Sequence, residues 1–242
     1  MLVAGFPAGP WATNCFVVAT AAGAECVVID PGKDSGAPID DLVREHRLQP
    51  VAVILTHGHI DHMFSVQPVC ASHRVPAYIH PADRSRLADP MGFAGRGAAD
   101  RRDAADAMAA MLGGHHQFVE PDEVRELADG EVLQLAGLQL KVSHAPGHTE
   151  GSVVYGTQQA GDVPPLLFSG DVLFEGSIGR TDLPGGDHQA MLASLARVIL
   201  PLPDQTVVLP GHGATTSIGR ERTANPYLQH VAADVPPVRR GL

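Results

Sequence analysis

The stretch Val-Ala-Val-Ile-Leu-Thr-His-Gly-His-Ile-Asp-His, residues 51–62, decides the fold of this chain. Its first half is an unbroken apolar run rich in β-branched residues, the pattern of a strand buried on both faces. Its second half places His57, His59, Asp61 and His62 within six residues. In extended backbone, side chains two apart point the same way, so His57 and His59 can hold one ion together. Once the chain turns toward a helix, Asp61 and His62 can face a second ion close by. Gly58, lacking a Cβ, is expected to let the backbone fold tightly between them. The alternative is a polar loop whose histidines only hydrogen-bond. So many ligand types directly after a buried strand argue against it.

The flanking segments suggest an α/β layer. Residues 14–20 and 25–30 read as two strands of a hairpin, and residues 37–47 as a helix leading into the central strand. Strand, helix, strand is a crossover unit. A helix is expected over 62–73 and a short strand over 77–80, where His80 reads as a structural histidine. Residues 84–119 are rich in Gly, Ala, Asp and Arg and read as an insertion, with a helix over 99–112 stopped by Gly113 and Gly114. Met108, Met111 and Leu112 of that helix fit packing on the body. Insertions of this length often cover active sites, and His115 and His116 read as surface residues. Further strands are expected over 131–135, 138–143, 152–157, 166–169 and 206–209. Asp187 is placed to cap a helix running to residue 200. Hairpin-plus-crossover patterns recur in both halves, too weakly to establish a duplication.

The totals exclude several function classes. A chain of 242 residues with a formal charge of −10 and no basic run argues against nucleic acid as a partner. Lysine occurs only at Lys33 and Lys141. No apolar run reaches membrane-spanning length, and the N-terminus lacks the basic-then-apolar pattern of a signal peptide. Cys15, Cys26 and Cys70 are odd in number, lack metal-type spacing and read as buried thiols. A soluble protein of a reducing cytoplasm, with no membrane partner, is the simplest expectation.

Asp30, the 57–62 cluster, Asp171 and His212 each follow a short apolar strand, and His148 follows a strand and a Pro-Gly turn. Alone, Asp30 is an ordinary turn former, and His148 or His212 an ordinary loop histidine. Gathered at one sheet edge, they converge on a pocket of the kind α/β proteins use. Two first-row cations suit this set: three imidazoles for one, two imidazoles and a carboxylate for the other, and a carboxylate between. With no cysteine among them, zinc is expected, with iron and manganese open.

Thr56-His57-Gly58-His59-Ile60-Asp61-His62 matches the Thr-His-x-His-x-Asp-His motif of the metallo-β-lactamase-fold hydrolases. Asp30, His148, Asp171 and His212 follow in the order of that superfamily's other motifs. The chain resembles the superfamily over nearly its whole length. The resemblance implies one domain over 1–242, a four-layer αββα sandwich with a binuclear site at the sheet edge. By motif, it implies that His57, His59 and His148 hold one metal, that Asp61, His62 and His212 hold the other, and that Asp171 bridges them. Asp30 is implied to support a histidine ligand from behind. Asp61 and Asp171 are the carboxylates expected in the catalytic centre.

Within the superfamily, the chain resembles the short glyoxalase II-like (hydroxyacylglutathione hydrolase-like) enzymes. The likeness rests on Phe168-Ser-Gly-Asp-Val-Leu-Phe174, Gly179-Arg-Thr-Asp-Leu-Pro-Gly-Gly186, Leu209-Pro-Gly-His-Gly213 and Arg222-Thr-Ala-Asn-Pro-Tyr227. Full-length glyoxalase II has a C-terminal helical domain that helps hold glutathione. Here about thirty residues follow His212, which points to another thiol carrier or a broader thioester range.

The chemistry expected is hydrolysis of a hydroxyacyl thioester, a small-molecule partner, by a hydroxide shared between two cations that also polarise the carbonyl. The leaving thiol, with a pKa near ~8.5, departs without a strong general acid. Arg180 has the fork to hold a carboxylate of the thiol carrier, though a solvated arginine in a Gly-rich loop reads equally well. Tyr227 is either a rim residue or a packing residue, and packing suits it better. A β-lactamase is disfavoured by Asp171, and a transfer-RNA nuclease by the acidic balance. The enzyme rival is a persulfide dioxygenase, a similar fold holding one iron on equivalents of His57, His148 and Asp171. The rival of another class is a non-catalytic metal- or ligand-binding protein, against which the complete ligand set argues.

Overall fold

The computed structural model describes residues 1–91, 106, 109–110, 112–114, 116–159 and 161–234. Two six-stranded sheets lie face to face. The first contains β1 (Leu2–Ala8), β2 (Thr13–Ala19), β3 (Glu25–Ile29), β4 (Gln49–Ile54), β5 (Ala77–Ile79) and β6 (Val124–Glu126) in that order. The second runs β12 (Thr216–Ser217), β11 (Val207–Pro210), β10 (Leu166–Gly170), β9 (Val153–Gly156), β8 (Leu138–His144) and β7 (Val132–Leu135).

The two-residue period of the strands sorts their side chains between layers. Phe16, Val18, Ala52 and Ile54 face Val142, Tyr155, Leu166 and Phe168 in a core between the sheets. The alternate residues Cys15, Val17, Val53 and Leu55 face outward, under helices α1 (Gly36–His46) and α3 (Val66–His73). On the other side, Val154, Leu167 and Val208 lie under α4 (His188–Ser194), α5 (Ile218–Ala224) and α6 (Pro226–Asp234). Helices, sheet, sheet, helices is the αββα order. Each Leu, Ile, Val or Phe buried this way contributes about 1.5–3 kcal/mol, which is why β4 reads as continuous apolar sequence.

Strand direction explains where the ligand-bearing loops fall. β3 and β4 are parallel, as are β10 and β11. β8 is antiparallel to β9, and β9 to β10, so β8 runs with β10. The C-terminal ends within each sheet therefore share an edge. Thr13 opens β2, antiparallel to β3, and reaches the same edge from the other direction. Bonds between the sheets join those edges: Val153 N donates to Thr56 O at 2.8 Å, and Asn14 N to Gly211 O at 2.7 Å.

Several boundaries differ from the sequence expectations. The helix expected over 62–73 is two pieces, α2 (Ile60–Met63) and α3, because Ser65 N donates to Pro31 O at 2.9 Å instead of within a helix. The helix capped by Asp187 loosens into a π-turn over Leu195–Ile199, with Leu200 N donating to Leu195 O. β1, β6 and β12 were not expected. Most of the 99–112 helix, with Met108 and Met111, lies outside the described residues, as do His115 and residues 235–242. Asp106, Ala109, Ala110 and Leu112 are helical, and His116 is exposed. No helix among the described residues is long and apolar enough to cross a membrane.

Candidate metal centre

Seven side chains from four strand ends, those of β4, β8, β10 and β11, meet at the shared edge, arranged as two triads that Asp171 joins. In the first, His148 Nε2 stands 2.8 Å from His59 Nδ1 and 3.2 Å from His57 Nε2. In the second, His212 Nε2 stands 3.3 Å from His62 Nε2 and 3.1 Å from Asp61 Oδ2. Asp171 touches both. Its Oδ2 lies 3.4 Å from His148 Nε2 and 3.6 Å from His212 Nε2, and its Oδ1 lies 3.2 Å from His62 Nε2.

The far side of each ring decides which nitrogen has a lone pair to offer. His148 Nδ1 donates to Arg180 O at 2.7 Å, and His212 Nδ1 to Trp11 O at 3.2 Å. His62 Nδ1 donates to Asp30 Oδ2 at 2.9 Å. His57 Nδ1 faces Thr56 Oγ1 at 3.1 Å, and that hydroxyl donates in turn to Asp30 Oδ2 at 2.6 Å. Asp30 Oδ1 accepts from Thr56 N at 2.8 Å, which ties the buried carboxylate to the end of β4. With these protons directed outward, the Nε2 atoms turn bare lone pairs on one another.

Lone pairs so close repel unless a proton, such as the one His59 Nδ1 can give to His148 Nε2, or a cation lies between them. Bonds of about 2.0–2.1 Å in a tetrahedral arrangement set two nitrogens about 3.3 Å apart, close to the spacing found. A second observation agrees: Asp171 Oδ1 is buried without a hydrogen-bond partner. His62 Nε2 can serve it only when the ring carries a second proton, because the first is given to Asp30. A Cβ at Gly211 would stand 2.2 Å from Asp171 Oδ1 and 2.6 Å from His62 Cε1, so only glycine fits behind the carboxylate.

Electrostatics divides the triads. Burial, reinforced by neighbouring rings, holds His57 well below the ordinary imidazole value. Burial, with His148 and Arg86, pushes His59 down to about 3. Both rings are neutral at neutral pH, with lone pairs free to serve a cation. Burial also disfavours charge on His62, but Asp171, Asp61 and Asp30 outweigh it and raise that ring well above its usual value. His212 is raised too, its burial outweighed by the bond to Asp61 and the charge of Asp171. Against the cost of burial, the surrounding imidazoles hold Asp61 and Asp171 below the carboxylate range. This half of the site calls for positive charge, which a proton or a metal cation supplies.

A cleft of about 560 Å³ opens above the triads, lined by Trp11, Ile60, Met91, Phe174 and Leu183 among others. Arg180 lines it as well, but its guanidinium is paired with Asp182 at 2.7 and 2.8 Å. Tyr227 is not among the lining residues; it is half-buried and packs with the core under α4 and α6. His80 accepts from Ala82 N at the start of a 3-10 turn and stacks on His144, with ring centroids 4.1 Å apart.

Two residues of the site had not been singled out in the sequence. Thr13 Oγ1 donates to Asp61 Oδ2 at 3.1 Å. Asp83, fully buried, joins the 57–59 loop to the 148–151 loop. Thr13 lies at the start of a strand and carries no local signal. Asp83 lies four residues beyond the parallel strand β5, inside a 3-10 turn, and so lacks the strand-end position that marked Asp30 and Asp171.

A family profile described as the Metallo-beta-lactamase superfamily matches residues 8–212. An uncharacterized protein of Mycobacterium tuberculosis, Rv2581c, is 44% identical over 231 residues, which is 95% of this chain and 98% of the relative. The hydroxyacylglutathione hydrolase GloC of Haemophilus influenzae is 32% identical over 83% of this chain and 86% of its own length. Among solved structures, the BLEG-1 B3 metallo-beta-lactamase is 39% identical with a TM-score of 0.78, covering 94% of this chain and 99% of the other. TTHA1623, solved in a di-iron-bound form, is 35% identical with a TM-score of 0.73, covering 94% of this chain and 100% of the other. With sequence, strand order and edge geometry in agreement, the chain belongs to the metallo-β-lactamase superfamily.

Proposed function

We propose that this chain is a binuclear metal-dependent thioesterase. Its substrate is a hydroxyacyl thioester of a small thiol carrier, and the pair of ions is zinc. The observation that carries the binuclear reading is Asp171, which reaches His148 of one triad and His62 and His212 of the other with a buried oxygen left unpartnered. His57, His59 and His148 would hold one cation. Asp61, His62 and His212 would hold the second, with Asp171 between. Bound there, two divalent cations lower the pKa of a shared water and polarise a carbonyl.

The rest falls to the chain's own groups. Asp30, Arg180 O and Trp11 O fix the rings of His62, His148 and His212, so little reorganisation accompanies reaction. Trp11, Phe174 and Leu183 give the acyl and thiol portions an apolar wall. The described lining residues include no acid besides Asp61 and Asp171, which suits a leaving group that departs as a thiolate. Arg180 takes a carboxylate of the thiol carrier by exchanging it for Asp182. The likeness to a hydroxyacylglutathione hydrolase supports the substrate class, and the likeness to a di-iron protein keeps iron in the test. The same reading takes the chain as one domain in the cytoplasm, with a small molecule as partner and neither nucleic acid nor membrane.

Elemental analysis, paired with hydrolysis of lactoylglutathione, other thioesters and a β-lactam, tests this. Two ions per chain with thioester turnover is the expected result. The B3 β-lactamase likeness makes faster β-lactam cleavage the second outcome to watch, and it would displace the thioesterase reading. One iron per chain, with oxygen uptake on glutathione persulfide, would replace it with a dioxygenase.

A further inference from the structure

Asp83 is a fully buried carboxylate in the 3-10 turn Pro81–Leu87, and both its oxygens are used. Oδ2 accepts from Gly58 N at 2.8 Å and from Thr149 Oγ1 at 2.6 Å. Oδ1 accepts from Gly151 N at 3.0 Å and lies 3.6 Å from Arg86 Nε. Gly58 sits between His57 and His59, and Thr149 follows His148. One carboxylate thus bridges the two loops that carry the three-histidine triad, which are about ninety residues apart in sequence. Arg86 extends the connection by donating to Pro184 O at 2.9 Å, in the loop whose Arg180 O holds His148.

Both loops are shaved to admit this side chain. A Cβ at Gly151 would stand 2.6 Å from Asp83 Cγ, and one at Gly58 would stand 2.7 Å from Arg86 Cδ and 3.1 Å from Asp83 Cβ. Neither glycine has a positive φ. The motif glycine Gly58 is therefore required by close approach, since a Cβ there would meet Arg86 and Asp83.

We infer that Asp83 is a positioning residue, which sets the distance between the His57–His59 loop and the His148 loop so that the three imidazoles can share one cation. It touches no ligand atom, and it does not reach the Asp61, His62 and His212 triad. Its effect should therefore be confined to one of two neighbouring ions. The inference rests on the reading that these triads hold metal.

The test is cobalt(II) titration of the metal-free full chain, followed by calorimetry and visible absorption. It compares wild type, Asp83→Asn and the milder Thr149→Val, which removes one donor to Asp83. Each is made alone, in an Asp61→Asn background and in a His59→Ala background. Asp83→Asn should weaken one ion about 10- to 100-fold, the usual cost of losing support behind ligands. Thr149→Val should weaken the same ion less. Both effects should persist beside Asp61→Asn and vanish beside His59→Ala. Unchanged affinities in Thr149→Val and a folded Asp83→Asn would overturn the inference, as would equal weakening in the His59→Ala background. Wild type that binds no cobalt would instead defeat the metal-site reading beneath it.

Discussion

Asp30 Oδ2 accepts the Nδ1 proton of His62 across 2.9 Å, although the two residues lie on neighbouring strands' separate loops. Asp30 has a positive φ of 51°, a left-handed conformation that Asp and Asn adopt more readily than other non-glycine residues. The contact sets the tautomer of His62 and turns its Nε2 toward Asp61 and His212.

Asp30→Ala is expected to lower both stability and metal affinity. It leaves Thr56 N, Thr56 Oγ1 and His62 Nδ1 without their acceptor in a buried site. Each unsatisfied group costs about 1–3 kcal/mol. Loss of the orienting partner should weaken one ion about 10- to 100-fold. Thermal unfolding of the metal-free protein reads the first effect, and metal titration reads the second.

Asp171→Ala removes the one carboxylate shared by both triads. Metal occupancy and thioester turnover should fall together, measured as zinc per chain and as kcat. A variant that keeps two ions and full turnover would refute the bridging assignment.

The three-histidine triad should cost the metal-free protein stability on acidification. His59 has an ordinary value of 6.5 when unfolded and about 3 when folded, so between those values the unfolded chain binds the extra proton. Its contribution is whole above pH 6.5 and declines as pH falls toward 3. His57 acts in the same direction. His62 and His212, raised by carboxylates, act oppositely: their contribution is present below 6.5 and is lost as pH rises through their folded values. Urea unfolding from pH 7 to 4 should therefore show a shallower acid decline in His59→Asn than in wild type.

Arg180→Gln should raise KM for a carboxylate-bearing thioester while leaving kcat nearly unchanged, because only its backbone carbonyl supports His148. A neutral thioester should show no such rise. Tyr227→Phe should alter neither constant, since that ring packs with the core under α4 and α6.

Cys15, Cys26 and Cys70 should be silent to a thiol reagent in the native protein and should all react in denaturant. All three are buried, and burial pushes Cys26 and Cys70 up to about 12, where the reactive thiolate is scarce at neutral pH. Rapid native labelling of any of them would contradict the packing described.

What could be read from residues alone was local. The β4 run, the hairpin of β2 and β3, and the Asp187 cap depend on periodicity and neighbouring residues, and the sequence displays both. The seven candidate ligands were legible for the same reason: each directly follows an apolar strand or its turn. β1, β6 and β12 escaped because an edge strand with Gly5 and Pro7, or a strand of two or three residues, has too little apolar alternation to register. Asp30 apart, only the folded chain decided which groups stand behind the candidate ligands. Thr13 meets Asp61 across 48 positions and Asp83 meets Thr149 across 66, and no local pattern encodes such pairs. They arise because two sheets bring the same strand ends to one edge, where buried carboxylates take whatever donors the packing supplies.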